Sequence, residues 1–288
     1  MKYAFVALVM CGDRYIPGAL ALGYSMQKVK TEVDTIVMIT SDVSQQARDA
    51  LSKVFKRVIE VPYIEGIFHR KLSYKQEQHY GSFMTKIVTK LNVLKLVEYE
   101  KVMLMDADVI FQKNCDHLFN LQAPAGIWYF YDHASKKPSP KVREQLNNIK
   151  HGERVPRHFI EKAFESTFVV WGTTLLLKPD MNDYNNMISK VTQQGAGYRS
   201  CPSALEEQLF SEYYKTWTAI DKSYNVVPWK MDGVDDASIV HFYSSKKPWE
   251  TADKRVWIPG TKYPSDEEGI YDDERIWRKM YEEYVLTA

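Results

Sequence analysis

Short apolar runs alternate with amphipathic segments through the first third of the chain. This alternation is typical of β-α-β units that build a mostly parallel sheet. The pattern predicts buried strands at residues 5–10, 35–39, 58–61 and 101–105. Between them it predicts helices with one apolar face, the first near Pro17 and the second capped by Ser44. A further helix is predicted over the apolar positions from Met84 to Leu94.

The pattern becomes less regular in the second half. Residues 129–166 carry many lysines and arginines and few acids, which favours an exposed insertion with a solvated basic face. Strands are predicted again at 174–177 and 239–243, and helices after Pro179 and from about Ser203. A C-terminal helix, within a tail at 251–288, carries Trp277, Tyr281 and Tyr284 on one side. No repeat or linker divides the chain, so we expect a single α/β domain over residues 1–288.

The composition limits the classes of molecule that the protein is expected to bind. The 38 Lys and Arg against 37 Asp and Glu give a net charge of +1, so nothing in the overall charge attracts nucleic acid or an anionic membrane. The three cysteines, Cys11, Cys115 and Cys201, are widely scattered, which fits a reducing compartment. The apolar run at 3–11 is too short to span a bilayer, and no signal peptide is evident. We therefore expect a cytoplasmic protein.

Two aspartates follow the predicted strand at 101–105. Asp106 and Asp108 are two residues apart, so on an extended chain their carboxylates point to the same side. Open α/β sheets bind ligands at the carboxyl ends of their strands, which is where this strand delivers the pair. Carboxylates this close repel each other unless a cation or a proton intervenes. The pair is a candidate site for a divalent cation, with a solvated turn as the alternative.

A histidine and a lysine form the second candidate element. His241 lies within the apolar run at 239–243, and Lys247 and Trp249 follow it closely. A histidine in such a run is more often a core residue than a ligand. The lysine, on a turn that Pro248 makes rigid, offers a cation to a diphosphate. Two carboxylates and one imidazole together suit Mn²⁺ better than Mg²⁺, which prefers oxygen ligands.

The helix predicted from Ser203 begins with further polar residues. Ser203 and Glu206 have the spacing of a capping box, so Glu206 is expected to serve the helix end. Glu207 and Gln208 then remain to face a cleft. The signatures of dinucleotide oxidoreductases, P-loop kinases, zinc proteases and serine hydrolases are missing from the sequence.

In their order and spacing, these residues resemble the glycogenin-like glycosyltransferases of family 8. The resemblance runs from the first strand to Trp249. It includes residues 5–9, 13–25, 89–91, 105–108, 207–208 and 241–249. It implies a GT-A fold, with a Rossmann-like mixed sheet flanked by helices. By the same resemblance, residues 1–112 form a nucleotide-binding half, and residues 113–250 form a half for the donor sugar and the acceptor.

The resemblance also implies an activity and a set of site residues. It implies a transfer of a hexose from a UDP-sugar, UDP-glucose or UDP-galactose first, to an acceptor hydroxyl, with retention at the anomeric carbon and release of UDP. Mn²⁺ is the implied metal and Mg²⁺ the second option, with Asp106, Asp108 and His241 as ligands. The implied nucleotide contacts are Val9, Cys11, Gly12, Tyr15, Lys247 and Trp249. The implied catalytic residues at the donor sugar are Lys90, Glu207 and Gln208.

Some positions depart from the family pattern and leave the donor sugar and the acceptor open. The segment 171–173, Trp-Gly-Thr, replaces the usual Asn-x-Gly, and Ala125 replaces an aspartate. Two alternative functions stay open: a degenerate member that binds nucleotide or carbohydrate without turnover, and a sugar-nucleotide pyrophosphorylase. Nucleic acid and membrane are not expected as partners, and a homodimer is one option for the oligomeric state.

Overall fold

The computed structural model describes residues 2–66, 83–130, 140–156, 158–159, 168–193, 205–228, 234–243, 247–250 and 272–287. Its strands are β1 (Tyr3–Val9), β2 (Asp34–Ile39), β3 (Arg57–Glu60), β4 (Lys101–Met105), β5 (Val109–Phe111), β6 (Ala125–Gly126), β7 (Trp128–Phe130), β8 (Arg154–Val155), β9 (Phe168–Val170), β10 (Leu175–Leu177), β11 (Trp217–Ala219) and β12 (Ile239–His241). Its α-helices are α1 (Ile16–Lys28), α2 (Gln45–Val54), α3 (Phe83–Lys86), α4 (Pro140–Asn147), α5 (Met181–Gln193), α6 (Leu205–Tyr213) and α7 (Asp272–Thr287). Segments of 3₁₀ helix lie at Gly12–Tyr15, Ile87–Lys95, Asp116–Asn120 and Lys222–Tyr224.

The chain folds into two compact units, each built from separate stretches. The first unit contains Met1–Phe5, Val61–Met105 and Leu118–Asp221. Its strands lie in the order β4-β10-β6-β11-β8, and β7 pairs with β9. β10 is antiparallel to β4 and β6, whereas β11 is parallel to β6 and antiparallel to β8. The antiparallel pairs of this unit involve strands from the second half of the chain, beyond the segment for which a mostly parallel sheet was predicted. The mixed sheet that the resemblance implied is confirmed.

The second unit contains Val6–Glu60, Asp106–His117 and Lys222–Ala288. Its strands lie in the order β3-β2-β1, with β2 parallel to β3. A separate antiparallel pair joins β5 to β12. Strands β1, β2 and β3 lie at the three segments where the apolar runs first predicted them.

Helices of the second unit pack as their apolar faces predict. The hydroxyl of Ser44 accepts a hydrogen bond from the Ala47 N–H at 3.2 Å, which caps α2 as expected. In α7, Trp277 is fully buried and packs with Trp249 in one apolar cluster, together with Ala21 of α1. The predicted apolar side of the C-terminal helix is therefore a core face of this unit.

The predicted helix at 84–94 has a different geometry. Only Phe83–Lys86 is α-helical, and Ile87–Lys95 forms a 3₁₀ helix. Its residues from Ile87 to Leu94 are buried. Over so few residues, periods of 3.6 and 3.0 place apolar side chains at nearly the same positions, so the sequence does not distinguish the two helices.

Two predictions concern segments that the structure covers only in part. The basic segment 129–166 includes α4 and β8, but residues 131–139, 157 and 160–166 lie outside the described residues, as do residues 251–271 of the tail. The solvated basic face and the single-domain organisation therefore stay predictions. In the described part of the chain, no helix combines the length and the apolar character needed to cross a bilayer.

Candidate metal and nucleotide site

Strand pairing in the second unit brings the two aspartates and the histidine together. Asp106 and Asp108 lie in the turn that precedes β5, so this turn, and not an extended strand, directs both carboxylates. β12 pairs with β5 in a register that sets His241 opposite Val109, the residue after Asp108. The Phe242 N–H donates to the Asp108 carbonyl at 2.9 Å and extends this pairing. A strand pair thus fixes the backbone on both sides of the candidate site.

The three side chains offer one ligand atom each within 4.8 Å of one another. Nε2 of His241 lies 3.3 Å from Oδ1 of Asp108 and 3.8 Å from Oδ2 of Asp106. Ligands on opposite sides of a divalent cation, each at about 2.0–2.6 Å, are separated by at most about 5 Å. The separations and the donor set of two carboxylates and one imidazole therefore fit a single divalent cation. His241 and Asp108 are buried, and the Asp106 side chain is 25% exposed.

Lys247 occupies the other side of Asp108. Its Nζ lies 2.5 Å from Oδ2 of Asp108 and donates to the Phe242 carbonyl at 3.1 Å. Burial alone would raise the pKa of Asp108, but the charges of Lys247 and His241 outweigh burial and hold that pKa below its usual range. Burial alone would lower the pKa of Lys247, but Asp108 raises it above its usual value. Both groups therefore stay charged near neutral pH.

The loop after β1 carries the residues implied for the nucleotide. Val9 is buried at the end of the strand. Cys11 and Gly12 follow with φ values of 62° and 76°, so the chain passes through two left-handed residues in succession. Such a conformation costs Gly12 little and is strained at Cys11, a feature that is common in ligand-binding loops. Tyr15 closes the loop, with its ring 5.5 Å from Nζ of Lys247.

The segment Lys247 to Glu250 is attached to this loop by contacts that the sequence did not reveal. The indole N–H of Trp249 donates to the Arg14 carbonyl at 2.9 Å, and its ring lies edge-on to Tyr15 at 5.8 Å. Oε1 of Glu250 accepts from Nε of Arg14 at 2.5 Å, and Oε2 accepts from the Lys247 N–H at 3.2 Å. The implied diphosphate and nucleotide residues thus form one connected structure within the second unit.

The remaining predicted residues, Lys90, Glu207 and Gln208, lie in the first unit and are all buried. Lys90 donates to Oε1 of Glu206 at 3.0 Å, so this glutamate, expected at the helix end, is the counter-ion of a lysine. Ser203, the other half of the expected capping box, lies outside the described residues.

Glu207 is held by two hydrogen bonds in the same unit. Oε1 of Glu207 accepts from the Gly172 N–H at 2.8 Å, and Oε2 accepts from the Tyr129 hydroxyl at 2.7 Å. No local sequence pattern marks Tyr129 as a site residue, because its contact with Glu207 joins residues 78 positions apart.

Comparisons with known proteins point to one family. A family model described as Glycosyl transferase family 8 matches residues 7–253. Uncharacterized protein R707 of Acanthamoeba polyphaga mimivirus is 27% identical over 97% of this chain and 94% of its own length. Human Glycogenin-2 is 25% identical over 85% of this chain, which corresponds to 43% of that protein. Galactinol synthase 6 of Arabidopsis thaliana is 25% identical over 99% of this chain and 82% of its own length.

Solved structures show the same fold. The galactosyltransferase LgtC, in complex with donor and acceptor sugar analogues, matches with a TM-score of 0.52 at 11% identity, over 96% of this chain and 95% of that one. The glycosyltransferase GlyE of Streptococcus pneumoniae TIGR4 matches with a TM-score of 0.53 at 12% identity, over 97% of this chain and 61% of that one.

Proposed function

Because the chain belongs to glycosyl transferase family 8, we propose that it is a Mn²⁺-dependent enzyme that moves a hexosyl unit from a UDP-sugar to an acceptor hydroxyl, with retention at the anomeric carbon. The observation that carries this proposal is that Asp106, Asp108 and His241 offer ligand atoms within 4.8 Å of one another in a chain that belongs to this family. A core histidine would not need two carboxylates beside it. Lys247 pairs with Asp108, and a divalent cation held by all three residues would offset the remaining negative charge.

These three residues would hold the metal. The ion would supply positive charge against the diphosphate that departs with its bond electrons. The imidazole in the donor set favours Mn²⁺ over Mg²⁺. Lys247 offers a second cation to the same diphosphate. Val9, Cys11, Gly12, Tyr15 and Trp249 are the proposed contacts of the nucleotide, on the loop and the segment attached to it.

The proposed donor-sugar residues lie in the first unit. Lys90 provides a positive charge, and Glu207 and Gln208 provide polar groups on α6. A carboxylate that accepts two hydrogen bonds is less basic and less nucleophilic, so the contacts of Glu207 favour a positioning role over attack on the sugar. UDP-glucose and UDP-galactose are the candidate donors, since the relatives carry the names glycogenin and galactinol synthase.

A donor panel tests the activity. Purified protein is incubated with UDP-glucose, UDP-galactose or UDP-xylose, with and without Mn²⁺, and released UDP is measured. We expect release with one or more donors, only with metal, and none from Asp106→Asn. Binding of UDP without release from any donor would replace the proposal by a nucleotide-binding module. Equal release by Asp106→Asn would refute the metal site.

We also propose a cytoplasmic location. The three cysteines of the sequence, Cys11, Cys115 and Cys201, are few and widely scattered, which is usual where glutathione keeps thiols reduced. Fractionation of cells that express the tagged protein tests the proposal, because recovery in a secretory compartment would contradict it.

A further inference from the structure

A buried ion pair joins Lys90, one of the proposed donor-sugar residues, to Glu206. Nζ of Lys90 is 3.0 Å from Oε1 of Glu206 and 3.2 Å from the Gly172 carbonyl oxygen. The two side chains are only 7% and 8% exposed. Burying an ammonium is costly unless a counter-charge and hydrogen-bond acceptors accompany it. Glu206 supplies the charge, and Gly172 supplies a further acceptor.

The same peptide segment ties this ion pair to Glu207. The Gly172 carbonyl accepts from Lys90, and the Gly172 N–H donates to Oε1 of Glu207 at 2.8 Å. A Cβ at position 172 would lie 2.9 Å from Oε1 of Glu206 and 3.0 Å from Cγ of Glu207. Glycine at position 172 therefore allows Glu206 and Glu207 to approach the backbone there. A shift of the Glu206 side chain would therefore change the position of the Lys90 ammonium.

Adjacent carboxylates at the start of one helix would normally repel each other. Glu206 and Glu207 both lie in the first turn of α6, where the helix dipole favours negative charge. Lys90 adds a full positive charge at hydrogen-bond distance from Glu206. Lys90 therefore offsets one of these two negative charges, that of Glu206.

We propose that Glu206 is a positioning residue of the transfer reaction: its carboxylate fixes the ammonium of Lys90 where the donor sugar is handled. The inference rests on the proposed function, because it takes Lys90 to act on the donor. Glu206 itself acts through Lys90 and not on the substrate. Glu206 directly precedes Glu207 and Gln208, the pair that is part of the family resemblance. Its proposed role rests on its ion pair with Lys90 and not on the resemblance.

A double-mutant cycle tests this role. Glu206→Gln keeps the shape of the side chain and removes its charge, Lys90→Met removes the ammonium, and the double variant removes both charges. Removing both partners of a buried ion pair costs far less stability than removing one, so the double variant keeps the cycle usable if a single variant unfolds. Glu212→Gln, in the same helix and paired with Lys190 at 2.7 Å near the surface, is the matched control.

We expect Glu206→Gln to lower kcat by about 10²-fold, the loss that misplacement of a reacting group by about 1 Å can cause. The Kd of UDP with Mn²⁺ should not change, because no proposed nucleotide contact is altered. The double variant should lose no more activity than Lys90→Met, because Glu206 acts only through that lysine. The control Glu212→Gln should keep the activity of the unmodified protein.

Three results would overturn the inference. In the first, Glu206→Gln has the same kcat as the unmodified protein. In the second, the activity losses of Glu206→Gln and Lys90→Met multiply in the double variant. In the third, the activity loss of Glu206→Gln parallels a loss of thermal stability and disappears when the assay is cooled. In each case, transfer by the unmodified protein would leave the proposed function standing. If the unmodified protein released no UDP from any donor, the proposed function would fail, and this inference would fail with it.

Discussion

Lys247 and Asp108 form a buried ion pair, in which Nζ of the lysine lies 2.5 Å from Oδ2 of the aspartate. The other oxygen of this carboxylate, Oδ1, lies 3.3 Å from Nε2 of His241. One aspartate therefore links the lysine proposed for the diphosphate to the residues proposed for the metal. Charges so close together interact strongly where water is largely excluded, so a change at one alters binding at the other.

Lys247→Gln is expected to affect the metal and the nucleotide in opposite directions. Binding of Mn²⁺ alone should strengthen by about tenfold, because an ammonium near the carboxylates repels a divalent cation. Binding of UDP with Mn²⁺ should weaken, because the diphosphate loses a cation. Calorimetric titration measures both constants, with the exposed Lys113→Gln as the control. Equal weakening of both ligands would contradict the proposed roles.

The two aspartates should differ in their effect on stability. Asp108→Asn leaves Lys247 buried without its counter-charge, which should lower the free energy of unfolding by about 3–5 kcal/mol. Asp106 is 25% exposed, so Asp106→Asn should leave stability nearly unchanged. Both variants should lose metal-dependent UDP release. Urea denaturation measures the free energy of unfolding of each variant. Equal destabilisation by both variants would show that the ion pair between Asp108 and Lys247 is not the main source of the stability loss.

The stabilisation by this ion pair should disappear in acid. The pKa of Asp108 is lowered in the folded protein because Lys247 and His241 outweigh the effect of burial. A carboxyl group of this kind contributes its full stability above the pKa of the unfolded chain, about 3.9, and loses it as the pH falls towards the folded pKa. The stability difference between the unmodified protein and Asp108→Asn should therefore shrink as the pH falls below about pH 4. Denaturation series at each pH check this, and a constant difference down to about pH 2.5 would contradict it.

The two described cysteines should react differently with alkylating reagents. Cys115 is buried, and burial raises the pKa of its thiol to about 12, so it should resist iodoacetamide at about pH 8. Cys11 is exposed and lies in the proposed nucleotide loop, so it should be modified, and UDP with Mn²⁺ should protect it. Peptide mass spectrometry follows each thiol, including Cys201, which lies outside the described residues. Modification of Cys11 at the same rate with and without nucleotide would contradict its proposed contact with the nucleotide.

Much of the second unit could be predicted from the sequence, because its signals are local. The apolar run at 35–39 predicted β2, and the run around His241 predicted β12. The residue types of Asp106, Asp108 and His241 suggested a shared cation, and the family resemblance implied that they converge. Nothing in the local sequence fixes a register between β5 and β12, which are more than a hundred residues apart.

Contacts between distant side chains could not be predicted. Glu206 has the spacing of a helix cap, but its partner Lys90 is 116 positions away. Lys247 was expected to contact phosphate, and its bond to Asp108 depends on where two loops meet. Local patterns report burial and periodicity, whereas the choice of an ion-pair partner is a property of the folded chain.

The most direct test of the account is a titration of Mn²⁺ into the protein with UDP present, followed by the electron paramagnetic resonance signal of the free ion. We expect one Mn²⁺ to bind per chain, and we expect this binding to be lost in Asp106→Asn, Asp108→Asn and His241→Ala. A folded His241→Ala variant that binds Mn²⁺ as tightly as the unmodified protein would contradict the proposed site.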